Sequence, residues 1–148
     1  MSAREAAIAA LHARLASALG TRSPPPAVLR NETAPQRPPA GGLVVLRDGE
    51  TIEETPILSP LAWAIEHRAE VEVIAPGATP AARAALLDAL LIDIGAAIAA
   101  DRTLSGAVEW AQPEAPAFED AEFEGAAPAR AALVPVRLAF IAAGTPLA

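Results

Sequence analysis

The chain has 148 residues and a formal net charge of −7, and it is 53% hydrophobic but only 3% aromatic, so much of its apolar content is small alanine that buries little area per residue. That length fits one domain able to bury its own core. The acidic balance argues against sequence-independent duplex binding, which needs a concentrated positive face, and the absence of Cys excludes disulfides, thiolate metal sites and thiol catalysis.

In "SAREAAIAALHARLASALG", Ser2 and Glu5 match a capping box, and Ile8, Leu11, Leu15 and Leu19 recur at helical spacing, which predicts an amphipathic helix ending at Gly20. Arg4, Glu5, His12 and Arg14 interrupt any signal-peptide core or membrane span, so a cytoplasmic product is the expectation. The segment Thr21 to Gly42 carries six prolines and reads as an extended arm with room for a short strand at Ala27 to Leu29. "LVVLRDGE" then reads as a strand entering a turn at Asp48 and Gly49, with "TIEETPIL" returning, so residues 43–58 are expected to form a hairpin. Pro56 and Pro60 place its return arm at a sheet edge or projecting from the body.

"LAWAIEHRAEVEVIAPG" alternates: Trp63, Ile65, His67, Ala69, Val71 and Val73 share one face, and Glu66, Arg68, Glu70 and Glu72 the other. Thr79 and Pro80 supply an N-cap and first-turn proline for a long helix to about Ala100, with Leu87, Leu90, Leu91, Ile94 and Ile98 as its buried stripe. The acidic stretch that follows predicts one strand around Ala107 to Ala111 and then a loop holding Glu119, Asp120, Glu122 and Glu124. Ala132, Val134, Val136, Leu138 and Phe140 mark a closing strand, in which Pro135 points to an edge or a bulge. This order lacks regular β-α-β alternation. It predicts a single α+β domain over 1–148, with a mainly antiparallel or mixed sheet, both helices on one face and an extended hairpin or arm.

Motifs for chemistry are missing. No glycine-rich stretch has phosphate-loop spacing or its Lys, and the two His have neither metal-ligand spacing nor an obvious triad partner. The acidic run lacks the calcium-loop pattern. Glu66, Glu70 and Glu72 share a face on which paired carboxylates could do acid-base work. Arg68 among them fits better a solvated or intersubunit charge ladder, so no catalytic, cofactor-binding or metal residue is assigned. His67, in the apolar row, reads as a hydrogen-bonded structural histidine, and Trp63 and Trp110 as core anchors or interface contacts.

The segments "AAIAALHARLASAL" with "PPPAVLRNE", then "PAGGLVVLRDGE", "HRAEVEVIAPG", "LLDALLIDIGAAIAADRTLSG" and "GAAPARAALVPVRLAF" resemble the tail terminator (tail completion) proteins of long-tailed phages and of the phage-like gene transfer agents of alphaproteobacteria. The resemblance covers nearly the whole chain. It implies a small non-enzymatic subunit, without cofactor, that forms a hexameric homo-oligomeric ring on the tail tube protein, ends tube growth and joins head-tail connector proteins. DNA would touch it only in passage through the lumen, no membrane is involved, and assembly in the cytoplasm would precede incorporation into the particle tail. Glu66, Arg68, Glu70, Glu72, Arg47 and Trp63 are then the candidates for subunit or tube contact. Glu119, Asp120, Glu122 and Glu124 are the lumen candidates, keeping DNA from sticking. The alternatives are a head-tail connector stopper or adaptor and, from another class, a small ligand-binding or enzymatic α+β domain using His67 and the carboxylate row.

Overall fold

The computed structural model describes residues 1–33, 37–121 and 128–148. Its elements run α1 (Ala3–Leu19), β1 (Ala27–Arg30), β2 (Leu43–Ile57), β3 (Ala62–Pro76), α2 (Pro80–Ala100), β4 (Trp110–Pro113), β5 (Ala117–Ala121) and β6 (Ala129–Ala143). The sheet order is β1-β2-β3-β6-β4, with β5 also on β6. Only β1 and β2 pair in parallel, so the sheet is mixed and the fold is α+β, as its pattern of elements predicts.

Both helices begin where their caps place them. Glu5 N donates to Ser2 Oγ at 3.1 Å, and Ala82 N donates to Thr79 Oγ1 at 3.1 Å. The capping box at Ser2 is only half made, because the Glu5 carboxylate turns instead to Arg30, accepting two hydrogen bonds at 2.7 and 2.8 Å. Arg30 also donates to the Asp48 carboxylate, so one guanidinium ties α1, β1 and β2 together. Those hydrogen bonds are the main reason that Glu5 and Asp48 are held below their ordinary values of 4.5 and 3.8.

The helices lie on one face of the sheet. Ile8, Leu11, Leu15 and Leu19 of α1 and Leu87, Leu90, Ile94 and Ile98 of α2 pack with Val44, Leu46, Val71, Val73, Val134, Val136 and Leu138 in one core, while Leu91 is only partly buried against it. Arg14 Nε donates to Ala97 O at 2.8 Å and Arg22 pairs with Asp93 at 2.5 Å, joining the two helices laterally. A smaller cluster of Leu43, Val45, Ile74, Ala129 and Ala131 lies on the opposite face, at the end nearest Leu43. Among the described residues no helix is long and apolar enough to cross a membrane.

Two elements depart from the sequence expectation. The hairpin does not lie within 43–58: β2 runs unbroken for 15 residues and pairs with β3, and the chain reverses at residues 58–61. Asp48 and Gly49 form a bulge, since Arg47 faces Glu70 and Glu50 faces Arg68, leaving one extra residue on β2. Gly49 has the positive φ, 72°, that a tight turn would also have demanded, which is why Asp-Gly is ambiguous between the two. A second extra residue falls between Thr51 and Glu53.

The acidic stretch holds β4 at Trp110–Pro113 and also β5, where a loop is expected. Of the two placements expected for Pro135 the edge fails, since β6 has β3 on one side and β4 and β5 on the other, while the bulge fits, because residues 114–116 of the β4–β5 joint lie opposite only Val134 and Pro135. The Pro135 carbonyl accepts from Glu114 N at 2.8 Å, so that side of Pro135 faces the joint between β4 and β5. In an antiparallel ladder a residue's N and O point the same way, and the missing donor therefore falls where no ladder acceptor waits. The prolines of the hairpin behave as expected: Pro56 is in the exposed distal half of β2, beyond the reach of β1, and Pro60 is in the turn.

Candidate interaction surfaces

Directly paired residues of an antiparallel ladder project to the same side, so the register assigns every side chain to a face. Glu66, Arg68, Glu70 and Glu72 lie on the face away from the helices, and the β2 pairing adds Arg47 opposite Glu70. Trp63 does not join them. It projects with Ile65 and His67 to the helix side, where it is partly buried against the main core.

The β3–β6 register sets Arg68 directly opposite Arg137, a like-charge pair that would be unfavourable alone. Glu114, from the β4–β5 joint, offsets both, with its Oε1 3.5 Å from Arg68 and 3.9 Å from Arg137. Arg137 also pairs with Glu66, and Arg47 with Glu72 at 3.1 Å. Arg68 and Arg137 thus share Glu114, Arg137 also holds Glu66, and Arg47–Glu72 is a separate pair on the same face, while Glu70 makes no ion pair among the described residues. The paired side chains are 25 to 38% exposed, which leaves them visible to a partner while their neighbours restrict their motion. Arg137 and Glu114 escape a reading based on the β3 pattern alone. The signal for Arg137 is its place among the residues that alternate with Val134, Val136 and Leu138, but its register against Arg68 is not local information.

His67 points the other way. It is buried, its Nε2 lies against Asp48 O in the bulge, and its Nδ1 is 3.3 Å from Thr51 Oγ1. The ring therefore ties the bulged strand to β3, and the sheet itself separates it from the carboxylate row. A site combining His67 with Glu66, Glu70 and Glu72 is excluded by this geometry. Among the described residues no group of His, Asp and Glu is arranged to hold a metal ion. A depression of about 180 Å³ beside Glu66 and Trp110 is below the roughly 300–1,000 Å³ of ligand pockets, and one of about 320 Å³ beside Arg14 and Asp101 is at the lower end of that range.

Of the four lumen candidates, Glu119 and Asp120 are described; both border a shallow depression with Phe118 and Arg130, though they project to opposite sides of β5. Glu119 pairs with Ala131 and projects to the far face. Asp120 pairs with Arg130 and projects to the helix side, next to Phe118, which packs near Leu87 and Leu91. Strand alternation thus divides them, and Glu122 and Glu124 lie outside the described residues.

The far end of the hairpin is apolar. Ile57, Leu58 and Leu61 are exposed around the turn, and Ile141 is exposed on the adjoining part of β6. The C-terminal residues return to this end: Gly144 N donates to Leu61 O at 2.9 Å, and Ala148 O accepts from Ala3 N at 3.0 Å.

No family model matches the chain, and no curated protein does. Among solved structures it is similar to a chain of the "Virion of native gene transfer agent (GTA) particle", at 19% identity and a TM-score of 0.42, over 88% of this chain and 92% of that one.

Proposed function

We propose that the protein is a structural subunit of a phage-like particle, a tail terminator that forms a ring on the end of the tail tube, stops its growth and supplies the surface for joining the head. The observation that carries this reading is the charged sheet face. Arg47, Glu66, Arg68, Glu72, Glu114 and Arg137 form ion pairs on a sheet face that no helix covers, and a charged face without an enclosed pocket suits a protein partner better than a small ligand. The resemblance in sequence supplies the particular assembly. A closed ring uses two different patches per subunit, and this face is assigned as one of them.

The reading accounts as well for the exposed apolar end of the sheet, where Ile57, Leu58, Leu61 and Ile141 lie around the turn between β2 and β3 and on the adjoining β6. The protein acts without a cofactor in this reading and works in the particle tail after assembly in the cytoplasm.

The test is solution mass by light scattering over a range of protein and salt concentrations, with negative-stain imaging, for the protein alone and mixed with purified tail tubes. Rings are expected, either free or at tube ends. A protein that stays monomeric and ignores tubes overturns the proposal, and one that binds the portal side of heads instead identifies a connector.

A further inference from the structure

The outer edge of β2 changes character at Asp48. Up to that point β1 covers it, and Asn31, in a left-handed conformation with φ of 53°, completes the cover. Asn31 N donates to Leu46 O at 2.8 Å, and its Oδ1 accepts from Asp48 N at 3.1 Å. From Gly49 to Ile57 no strand lies on that side among the described residues, and all of these positions except Ile52 are exposed. At ~3.4 Å per residue these nine positions span at most about 30 Å, and the bulge at Gly49, the extra residue at Ile52 and the missing donor of Pro56 leave Glu53 to Thr55 as the regular, donor-bearing part of the edge.

An open edge of such length is either guarded against pairing or used for it. Its side chains select between partners. Glu50, Glu53 and Glu54 are exposed and make no ion pair among the described residues, and beyond them come the apolar Ile57, Leu58 and Leu61. A second copy pairing through the same edge would set carboxylate against carboxylate. The other outer strands of a second copy bring no free cation: β4 is Trp110–Pro113 and β5 is Ala117–Ala121, neither with a basic residue, and Arg30 of β1 is held by Glu5 and Asp48. Charge therefore opposes self-pairing and favours a strand of the opposite sign.

We infer that Gly49–Ile57 is an acceptor edge for strand addition by an extended basic segment of a different protein, with Arg or Lys along the strand and apolar residues reaching the Leu58–Leu61 turn. Main-chain hydrogen bonds supply the attachment, and the carboxylates supply the choice of partner. Glu50 and Glu53 pair with Arg68 and Glu66 and so share the charged face assigned to ring contacts, but the open backbone lies on the side of β2 away from β3, so amide shifts along Gly49–Ile57 distinguish strand addition from ring formation.

The experiment uses the full chain, labelled for amide NMR, and two blocked synthetic strand-length peptides. One alternates Arg and Thr and ends in two Leu; the other has Glu in place of Arg. The expected result is binding of the Arg peptide, weakened by salt, with amide shifts confined to the edge and the turn. The Glu50→Arg, Glu53→Arg double variant reverses both carboxylates on the face that meets the Arg row, so it should bind the Arg peptide several-fold or more weakly and should accept the Glu peptide. The inference is overturned by equal binding of both peptides to the wild-type chain, by no binding, or by shifts that map elsewhere. Concentration-dependent shifts at the same amides without peptide would also overturn it, because they would mean that the edge pairs with itself.

Discussion

Replacing Gly49 with Ala isolates the bulge that orients the distal hairpin. A Cβ on Gly49 would lie 1.8 Å from Arg68 O, a backbone atom that cannot swing aside, and φ is 72°. The left-handed conformation costs a residue with a Cβ about 1–2 kcal/mol. Relieving the clash requires β2 and β3 to separate locally, which removes at least the contact between His67 and Asp48 O and a neighbouring ladder bond, each ~1 kcal/mol. The expected destabilisation is therefore about 3–4 kcal/mol, or a fall in Tm of roughly 10 °C for a chain of this size. Gly144→Ala is the control, because Gly144 has φ of 78° but nothing within 4 Å of the methyl group that alanine would add, so it should lose only about 1–2 kcal/mol. Urea and thermal denaturation of both variants measure the difference. If Gly49→Ala costs no more than Gly144→Ala, the close approach at the bulge is not what fixes the strand.

Two further outcomes follow from the ion pairs. Glu5 and Asp48 have depressed folded-state values, so the stability they contribute is fully present above the ordinary carboxylate range and is lost as pH falls through the lower folded values. Arg30→Ala should lower Tm at neutral pH and flatten its decline below pH about 4, whereas an acid limb of unchanged slope would show that Arg30 is not the cause. Arg68→Glu should change folding stability by less than about 1 kcal/mol, because its ion pair with Glu114 is partly exposed. It should nevertheless raise the concentration needed for ring formation by roughly tenfold or more, since it adds a carboxylate opposite Glu50 and between Glu66 and Glu70. Unchanged assembly by light scattering would remove this face from the ring contact.

What could be read in the sequence was local. Ser2 and Thr79 cap their helices and the i, i+3, i+4 stripes face the core, because capping and burial of a helix are decided within a few turns. Alternation in β3 separated His67 from the charged row for the same reason. The turn at Asp48–Gly49 was misplaced because the choice between turn and bulge depends on whether "TIEETPI" finds its partner upstream or in β3, a question of pairing over long range. β5 was hidden because a strand exposed on the outside of the sheet has no need of an apolar row: Phe118 itself is 56% exposed.

The charged face shows how a long-range register turns local liabilities into a specified surface. Arg68 and Arg137 are each ordinary surface residues in their own strands, and only the β3–β6 register makes them a like-charge pair. Glu114 resolves that pair, and it reaches the right position because its own N–H is held by Pro135 O in the β4–β5 joint. The same joint makes Pro135 tolerable inside β6, since no ladder donor is required there. The proline, the break between β4 and β5 and the carboxylate that bridges two guanidiniums are consequently one arrangement. A partner that displaced Glu114 would leave Arg68 and Arg137 facing each other and would have to bring a carboxylate of its own, which makes the charged face selective.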